Sequence, residues 1–115
     1  MHMLDWNGYR GQVGAGVGEL GKLSPDTVRG YMALAAAKAG EGQFDKKTRE
    51  LIALAVSISL RCDGCITVHT QQAVRAGATR EEIAEALAIA VSINAGAAII
   101  YSTRTLDALA ALDEA

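Results

Sequence analysis

Aromatic residues are scarce in this 115-residue sequence, where tryptophan, tyrosine and phenylalanine together make up 4% of the chain. Proline occurs once, and no stretch alternates apolar and polar residues as a half-buried β-strand does. The hydrophobic share is nevertheless 50%, supplied mainly by alanine, leucine, isoleucine and valine. These features predict an all-α fold in one domain over residues 1–115. Because small side chains each bury little area, we also expect the helices to pack against copies of the chain.

The sequence also lacks a surplus of charge of either sign. Eleven basic and thirteen acidic residues give a formal net charge of −2, and no cluster of Lys and Arg is present. A nucleic-acid-binding surface is therefore not expected, since such surfaces need concentrated positive charge. The first residues lack the apolar segment of a signal peptide, so we expect a cytoplasmic protein.

The longest uncharged stretch runs from Ala86 to Thr103 and approaches the length of a membrane span. Ser92, Asn94, Gly96 and many alanines make it less apolar than a typical span. We therefore expect an internal or intersubunit helix here and no membrane attachment.

Short boundary motifs divide the chain into about six predicted helices. Ser24 and Pro25 are typical of an N-cap and a first helical position, and this helix is expected to run to about residue 39. Thr79 and Glu82 have the spacing of a capping box at the start of a fifth helix. Asn94–Gly96 is then expected to weaken or kink that helix, with a last helix from about residue 97 to 112.

One glycine motif has the pattern of a nucleotide-binding site. Gly16, Gly18 and Gly21 match G-x-G-x-x-G, but that motif binds a pyrophosphate only where a strand precedes it in a βαβ unit. No such strand is predicted, so no cofactor is expected.

The chain has only two cysteines, Cys62 and Cys65, in a C-x-x-C arrangement. In a reducing compartment such a pair indicates redox catalysis or metal binding, because structural disulfides are rare there. The pair lies where one helix is expected to end and the next to begin, and the start of a helix favours a thiolate. His69 follows Cys65 by four residues, so it lies one turn along the same face and can take the thiol proton.

Glu50 stands out because it begins an otherwise apolar run. If the third and fourth helices pack antiparallel, Glu50 comes level with the turn that holds His69. A carboxylate there would orient the imidazole and complete a set of nucleophile, base and orienting group. A glutamate in the first turn also favours the helix dipole without any catalytic role.

The four candidate residues occur at a spacing that resembles the alkylhydroperoxidase D (AhpD)-like branch of the carboxymuconolactone decarboxylase family: Glu50, eleven residues, Cys62, two residues, Cys65, three residues, His69. The stretch from Gly77 to Ile83 resembles a further part of that family, and the likeness covers about residues 24–100. This resemblance implies an all-helical domain, assembly into homo-trimers or homo-hexamers, and thiol-dependent reduction of peroxides. The decarboxylase branch lacks the cysteine pair, which argues against lactone decarboxylation.

The resemblance also implies a role for each residue. Cys65 would attack hydrogen peroxide or an organic peroxide and become a sulfenic acid, and Cys62 would resolve it as a disulfide. Glu50 and His69 would form the proton relay. A dithiol donor, such as a lipoyl domain or a thioredoxin-like protein, would restore both thiols. Well-studied members carry a histidine where Gly64 stands and contain two helical halves, of which this chain has the core half.

Two alternatives stay open from the residues alone. The first is an oligomeric redox-sensing or binding module whose dithiol reports redox state without turnover. The second is a weak metal site, in which Cys62, Cys65 and His69 bind zinc with Glu50 as a fourth ligand. Structural zinc sites usually use four Cys or His ligands, so no metal is the preferred expectation.

Overall fold

The protein is described by a computed structural model that covers residues 1–114. Within these residues the chain forms five α-helices and no β-strand, which confirms the predicted all-α fold class. The helices are α1 (Trp6–Leu23), α2 (Pro25–Ala35), α3 (Lys46–Ser59), α4 (Asp63–Arg75) and α5 (Arg80–Asp113).

Side chains at the starts of α3 and α5 satisfy backbone N–H groups that a first helical turn leaves free. Asp45 accepts a hydrogen bond from the backbone N–H of Thr48 at 2.8 Å. This hydrogen bond lowers the pKa of the Asp45 carboxyl, because it favours the charged form. Thr79 and Glu82 form the predicted capping box, in which each side chain accepts the other residue's backbone N–H.

The second helix starts as predicted but ends at Ala35 instead of near residue 39. Arg49 of α3 donates hydrogen bonds to the carbonyl oxygens of Ala35 and Ala37, at 3.1 and 2.8 Å. Carbonyl groups at the end of α2 thus have a side-chain partner. Lys38 and Gly40 have φ angles of 63° and 77°, in the left-handed region, and helix cannot continue through them.

The separate last helix predicted after Asn94–Gly96 is not observed, because α5 continues through all 34 of its residues. The Asn94 side-chain amide donates to the Ala90 carbonyl and to the Ser59 hydroxyl of α3, both at 2.7 Å. Asn94 is therefore held against the helix and across to its neighbour. A single glycine costs a helix about 1 kcal/mol, which is too little to end one of this length.

Helix α3 occupies the middle of the fold, since it packs against both α4 and α5, while α1 packs against α2 and α4. Few of the described residues are buried, and most of these are small: Leu54, Ser57, Thr67, Ala73, Ala86 and Ala90. The tightly packed part of the chain is therefore the junction of α3 with α4 and α5.

The chain is more open than a compact domain of its size. Its radius of gyration is 18.9 Å, whereas a compact chain of this length has about 13 Å. Its accessible surface is 9043 Å², against about 6000 Å² for a monomer of this mass. Roughly 3000 Å² of surface is thus exposed beyond what a compact monomer would show.

Helix α5 carries much of that exposed apolar surface. It contains an 18-residue window with a mean hydropathy of 1.9, and 6% of the residues in this window are buried. By length and composition alone, this helix is long and apolar enough to cross a membrane. Of the two expectations for this stretch, an internal or an intersubunit helix, the first does not hold within the chain, because most of the window is exposed.

Candidate active site

The turn between α3 and α4 brings both cysteines to the start of α4. At the end of α3 the N–H of Cys62 donates to the Ser57 carbonyl at 3.1 Å, and the N–H of Arg61 donates to the Ile58 carbonyl at 3.2 Å. These are the two bonds of a Schellman motif, which needs a left-handed residue after the helix. Arg61 supplies it, with a φ of 53°. The chain is thereby reversed, and Cys62 becomes the N-cap of α4.

Cys62 and Cys65 are joined by a disulfide, with their Cα atoms 5.2 Å apart. The Cys62 sulfur also accepts the backbone N–H of Cys65 at 3.2 Å, in the position that a capping oxygen usually takes. Both residues are half-buried. The pair lies at the positive end of α4, which favours a thiolate when the disulfide is reduced.

Glu50 on α3 reaches His69 on α4, with 2.7 Å between Oε2 and Nδ1. The two side chains are 19% and 33% exposed, so water screens this contact only in part. A carboxylate at Nδ1 holds the proton of a neutral ring there and leaves the lone pair on Nε2. The ring therefore has one nitrogen fixed by Glu50 and one left to act as a base.

Cys65 and His69 lie one turn apart in α4, a spacing at which side chains are neighbours on the helix surface. The structure thus pairs Cys62 with Cys65 and Glu50 with His69, and helix α4 connects the two pairs through the one-turn spacing of Cys65 and His69. Together they can accept a proton from a thiol, hold it, and exchange a dithiol with a disulfide.

Gly64 lies under helix α1. A Cβ atom at this position would be 3.6 and 3.7 Å from the two methyl groups of Val13, which is ordinary van der Waals contact. An alanine would therefore fit, whereas an imidazole would have to displace Val13. The packing of α1 therefore leaves little room for a larger side chain at Gly64, where well-studied members of the resembled family carry a histidine.

Thr67 connects α1 to α4, and the sequence analysis missed it. Its side chain is buried, donates to the Trp6 carbonyl at 3.2 Å and accepts from the Arg10 guanidinium at 3.1 Å. These partners are 61 and 57 residues away in the chain. No pattern in the sequence pairs residues over such distances, so only the folded chain reveals that α1 is fixed two residues from Cys65.

A cleft of about 840 Å³ lies between α4 and the connection from α2 to α3, and Glu50 is in its wall. Phe44, Lys46, Arg49, Gln72 and Arg75 also line this cleft. It gives solvent a route to the carboxylate that bonds His69, through which protons can be exchanged.

Among residues 1–114, no three His, Cys, Asp or Glu side chains are grouped so that they could hold a metal ion. The zinc alternative raised by the sequence therefore gains no support from the geometry of this part of the chain.

Comparison with other sequences identifies the family. A model of the carboxymuconolactone decarboxylase family matches residues 25–114. The chain is 50% identical over 104 residues to an uncharacterized protein of Haemophilus influenzae, an alignment that covers 90% of this chain and 92% of that protein. It is 38% identical over 100 residues to uncharacterized protein 4 in the cox locus of Paracoccus denitrificans, and this alignment covers 87% of each chain.

Two solved structures are similar to most of the chain. One is the apo form of a carboxymuconolactone decarboxylase family protein from Legionella pneumophila, with a TM-score of 0.73, 34% identity, and coverage of 89% of this chain and 91% of that chain. The other is a protein from Methanobacterium thermoautotrophicum, with a TM-score of 0.69, 31% identity, and coverage of 76% and 96%. The chain belongs to the carboxymuconolactone decarboxylase family.

Proposed function

We propose that the chain is an AhpD-like, thiol-dependent peroxidase that reduces hydrogen peroxide or alkyl hydroperoxides. The observation that carries this proposal is the Cys62–Cys65 disulfide at the start of a helix whose next turn holds His69, itself bonded to Glu50. Family membership and the cysteine pair support a redox function of this kind. The two groups that such a reaction needs, an exchangeable dithiol and a base with an orienting carboxylate, lie on adjacent turns.

The first step oxidises Cys65. Nε2 of His69 accepts the thiol proton, and the thiolate attacks one peroxide oxygen, so that an S–O bond forms and the O–O bond breaks. The leaving oxygen takes up the proton that His69 holds and departs as water or an alcohol. Cys65 is then a sulfenic acid, and the peroxide has been reduced by two electrons.

The second step forms the disulfide seen in the structure. The Cys62 sulfur attacks the sulfenic sulfur of Cys65, an S–S bond forms, and the hydroxyl leaves as water with the Cys62 proton. The Cα separation of 5.2 Å lies within the usual range for a disulfide. A dithiol donor of the lipoyl or thioredoxin type then supplies two electrons and two protons and is itself oxidised to a disulfide.

Glu50 is assigned an electrostatic role in both proton transfers. When His69 takes up a proton at Nε2 the ring becomes cationic, and the carboxylate at 2.7 Å stabilises that cation. In the resting ring the same contact fixes the tautomer that leaves Nε2 able to accept.

Assembly into a homo-trimer or homo-hexamer is part of the proposal, because one protomer leaves α5 uncovered. An apolar groove of about 560 Å³ between α3 and α5 has exposed walls that include Ile52, Val56, Ile89 and Ile93. Covering this groove and α5 with other copies would remove the excess surface of the open protomer. On this proposal the protein functions in the cytoplasm, and neither a membrane nor a nucleic acid is a partner.

The proposal is tested by measuring peroxide consumption with dithiothreitol or dihydrolipoamide as the donor. Cys65→Ser is expected to abolish turnover, whereas Cys62→Ser is expected to leave a sulfenic acid that dimedone traps and mass spectrometry detects. Full peroxide consumption by Cys65→Ser would show that the assignment is wrong. If the wild-type thiols oxidise to the disulfide but turnover never exceeds that of buffer, the dithiol serves as a redox sensor.

A further inference from the structure

Arg61 occupies a backbone conformation that normally selects glycine. Its φ is 53°, and it is the left-handed residue of the Schellman motif that ends α3. Glycine is the usual residue at this position because it has no Cβ to clash with the neighbouring carbonyl group. An arginine here is strained, and a strained residue beside a reactive group points to a use for its side chain.

Within the described residues, no hydrogen bond or ion pair of the Arg61 side chain offsets this strain. Arg61 is exposed, and among residues 1–114 its side chain makes no hydrogen bond or ion pair. Other arginines of the chain are held in this way, as Arg10 is by Thr67 and Arg49 by the end of α2. The guanidinium of Arg61 is therefore free to meet a group that comes from solution.

Arg61 is adjacent to the disulfide in the chain. It directly precedes Cys62, the N-cap of α4, and the positive end of that helix dipole lies at the same point. Asp63 follows Cys62 and carries the opposite charge, but it lies in the first turn of α4, where the helix dipole offsets part of its field. The approach to the disulfide is thus favourable for an anion on the Arg61 side.

We infer that Arg61 determines specificity in the reductive half of the cycle, by selecting a dithiol that carries a carboxylate as the donor. This inference rests on the proposed redox function of the Cys62–Cys65 pair. The guanidinium pairs with the carboxylate of the donor and holds its thiols at the disulfide.

The exchange proceeds in two balanced steps. A donor thiolate attacks the Cys65 sulfur, a mixed disulfide forms, and the Cys62–Cys65 bond breaks. Cys62 leaves as a thiolate at the N-cap, where the Cys65 N–H already donates to its sulfur. The second donor thiol then attacks the donor sulfur of the mixed disulfide and releases Cys65, so the donor becomes a cyclic disulfide and its two protons and two electrons end on the cysteines.

Dihydrolipoate and dihydrolipoamide test the inference, because they carry the same dithiol and differ in one charge. The oxidised protein is mixed with each donor in 10 mM buffer, and disulfide opening is followed by alkylation and mass spectrometry. Each rate is divided by the rate of the same donor with hydroxyethyl disulfide, a neutral reference. Two unit charges about 6 Å apart in a medium with the dielectric of water predict a preference of about threefold for the carboxylate. This preference should vanish in 1 M salt, where the screening length falls to about 3 Å.

Three variants make the test specific to Arg61. Arg61→Asn keeps a residue that tolerates the left-handed conformation and removes the charge, so it should abolish the preference, while Arg61→Lys should restore most of it. Lys38→Asn is the matched control, because Lys38 is also an exposed basic residue with a left-handed backbone, at a φ of 63°, but lies in the connection from α2 to α3. Lys38→Asn should leave the preference intact.

A general effect on the thiols or on folding would change the rates of both donors equally and leave their ratio unchanged. Equal normalised rates for the two donors with the wild-type protein would overturn the inference, as would a preference that persists in Arg61→Asn or disappears in Lys38→Asn. Because disulfide opening is measured without peroxide, failure of the peroxidase proposal appears separately, as absent turnover with either donor.

Discussion

Replacing Glu50 by glutamine tests whether the carboxylate, and not only the shape of its side chain, activates the site. Glutamine can still accept a hydrogen bond from Nδ1 of His69, but it cannot stabilise the ring when a second proton arrives. A hydrogen bond to a charged group contributes about 1.5–3 kcal/mol. The 2.7 Å contact between partly buried side chains places this pair in that range. Glutamine keeps a neutral hydrogen bond of about 0.5–1.5 kcal/mol, so the loss is the difference of about 1–1.5 kcal/mol. At 1.36 kcal/mol per factor of ten, the expected loss in rate is about 5- to 13-fold.

The assay is the oxidation of the reduced protein by a slight excess of hydrogen peroxide, followed by stopped-flow fluorescence of Trp6 or by timed thiol alkylation. Glu81→Gln is the matched control, because it removes the same charge from the exposed first turn of α5 and should change the rate less than twofold. A Glu50→Gln protein that folds normally and reacts within twofold of the wild type would refute the proton relay.

Three further predictions concern the fold. Gly16 lies inside α1 with open space where a Cβ would point, so Gly16→Ala should raise the free energy of unfolding in urea by about 0.5–1 kcal/mol. Gly77 has a φ of 90°, so Gly77→Ala should lower that free energy by about 1–2 kcal/mol. Equal shifts for the two variants would contradict this prediction. Hydrogen bonds from the Lys47 ammonium and the Thr79 N–H lower the pKa of Glu82 below its ordinary value of 4.5. The Glu82 carboxylate therefore stabilises the fold fully above pH 4.5, and this stabilisation is lost as the pH falls through the lowered pKa. Glu82→Gln keeps the cap but removes the charge, so the free energy of unfolding should fall less steeply as the pH is lowered. An unchanged dependence on pH would exclude the Lys47–Glu82 ion pair as a cause. Ile93→Lys should lower the subunit number seen by sedimentation velocity, since it charges the groove between α3 and α5, and an unchanged assembly would place the interface elsewhere.

The starts of the helices were predictable because each depends on a few adjacent residues. Asp45 caps α3, and Thr79 with Glu82 caps α5, as local spacing indicates. The ends were less predictable, because partners distant in the chain decide them. Asn94 is stabilised by Ser59 across the packed helices, 35 residues away, and a local count of helix-breaking residues does not include that hydrogen bond.

The candidate site was predictable for a different reason. The spacing of Cys65 and His69 fixes their relation within one helix, and the disulfide needs only a turn at Cys62. Glu50 required one tertiary assumption, that α3 and α4 lie side by side, and the 2.7 Å contact with His69 fits it. The strained backbone of Arg61 gave no such signal, since arginine is uncommon at the left-handed end of a helix.

The most direct test of the central claim is a titration of the reduced wild-type protein with hydrogen peroxide, with free thiols counted by mass spectrometry. The two-step chemistry predicts that one equivalent of peroxide removes both thiols of each chain and produces a single internal bond between Cys62 and Cys65. Thiols that stay reduced, or the loss of one thiol per peroxide with chains cross-linked to one another, would contradict the account.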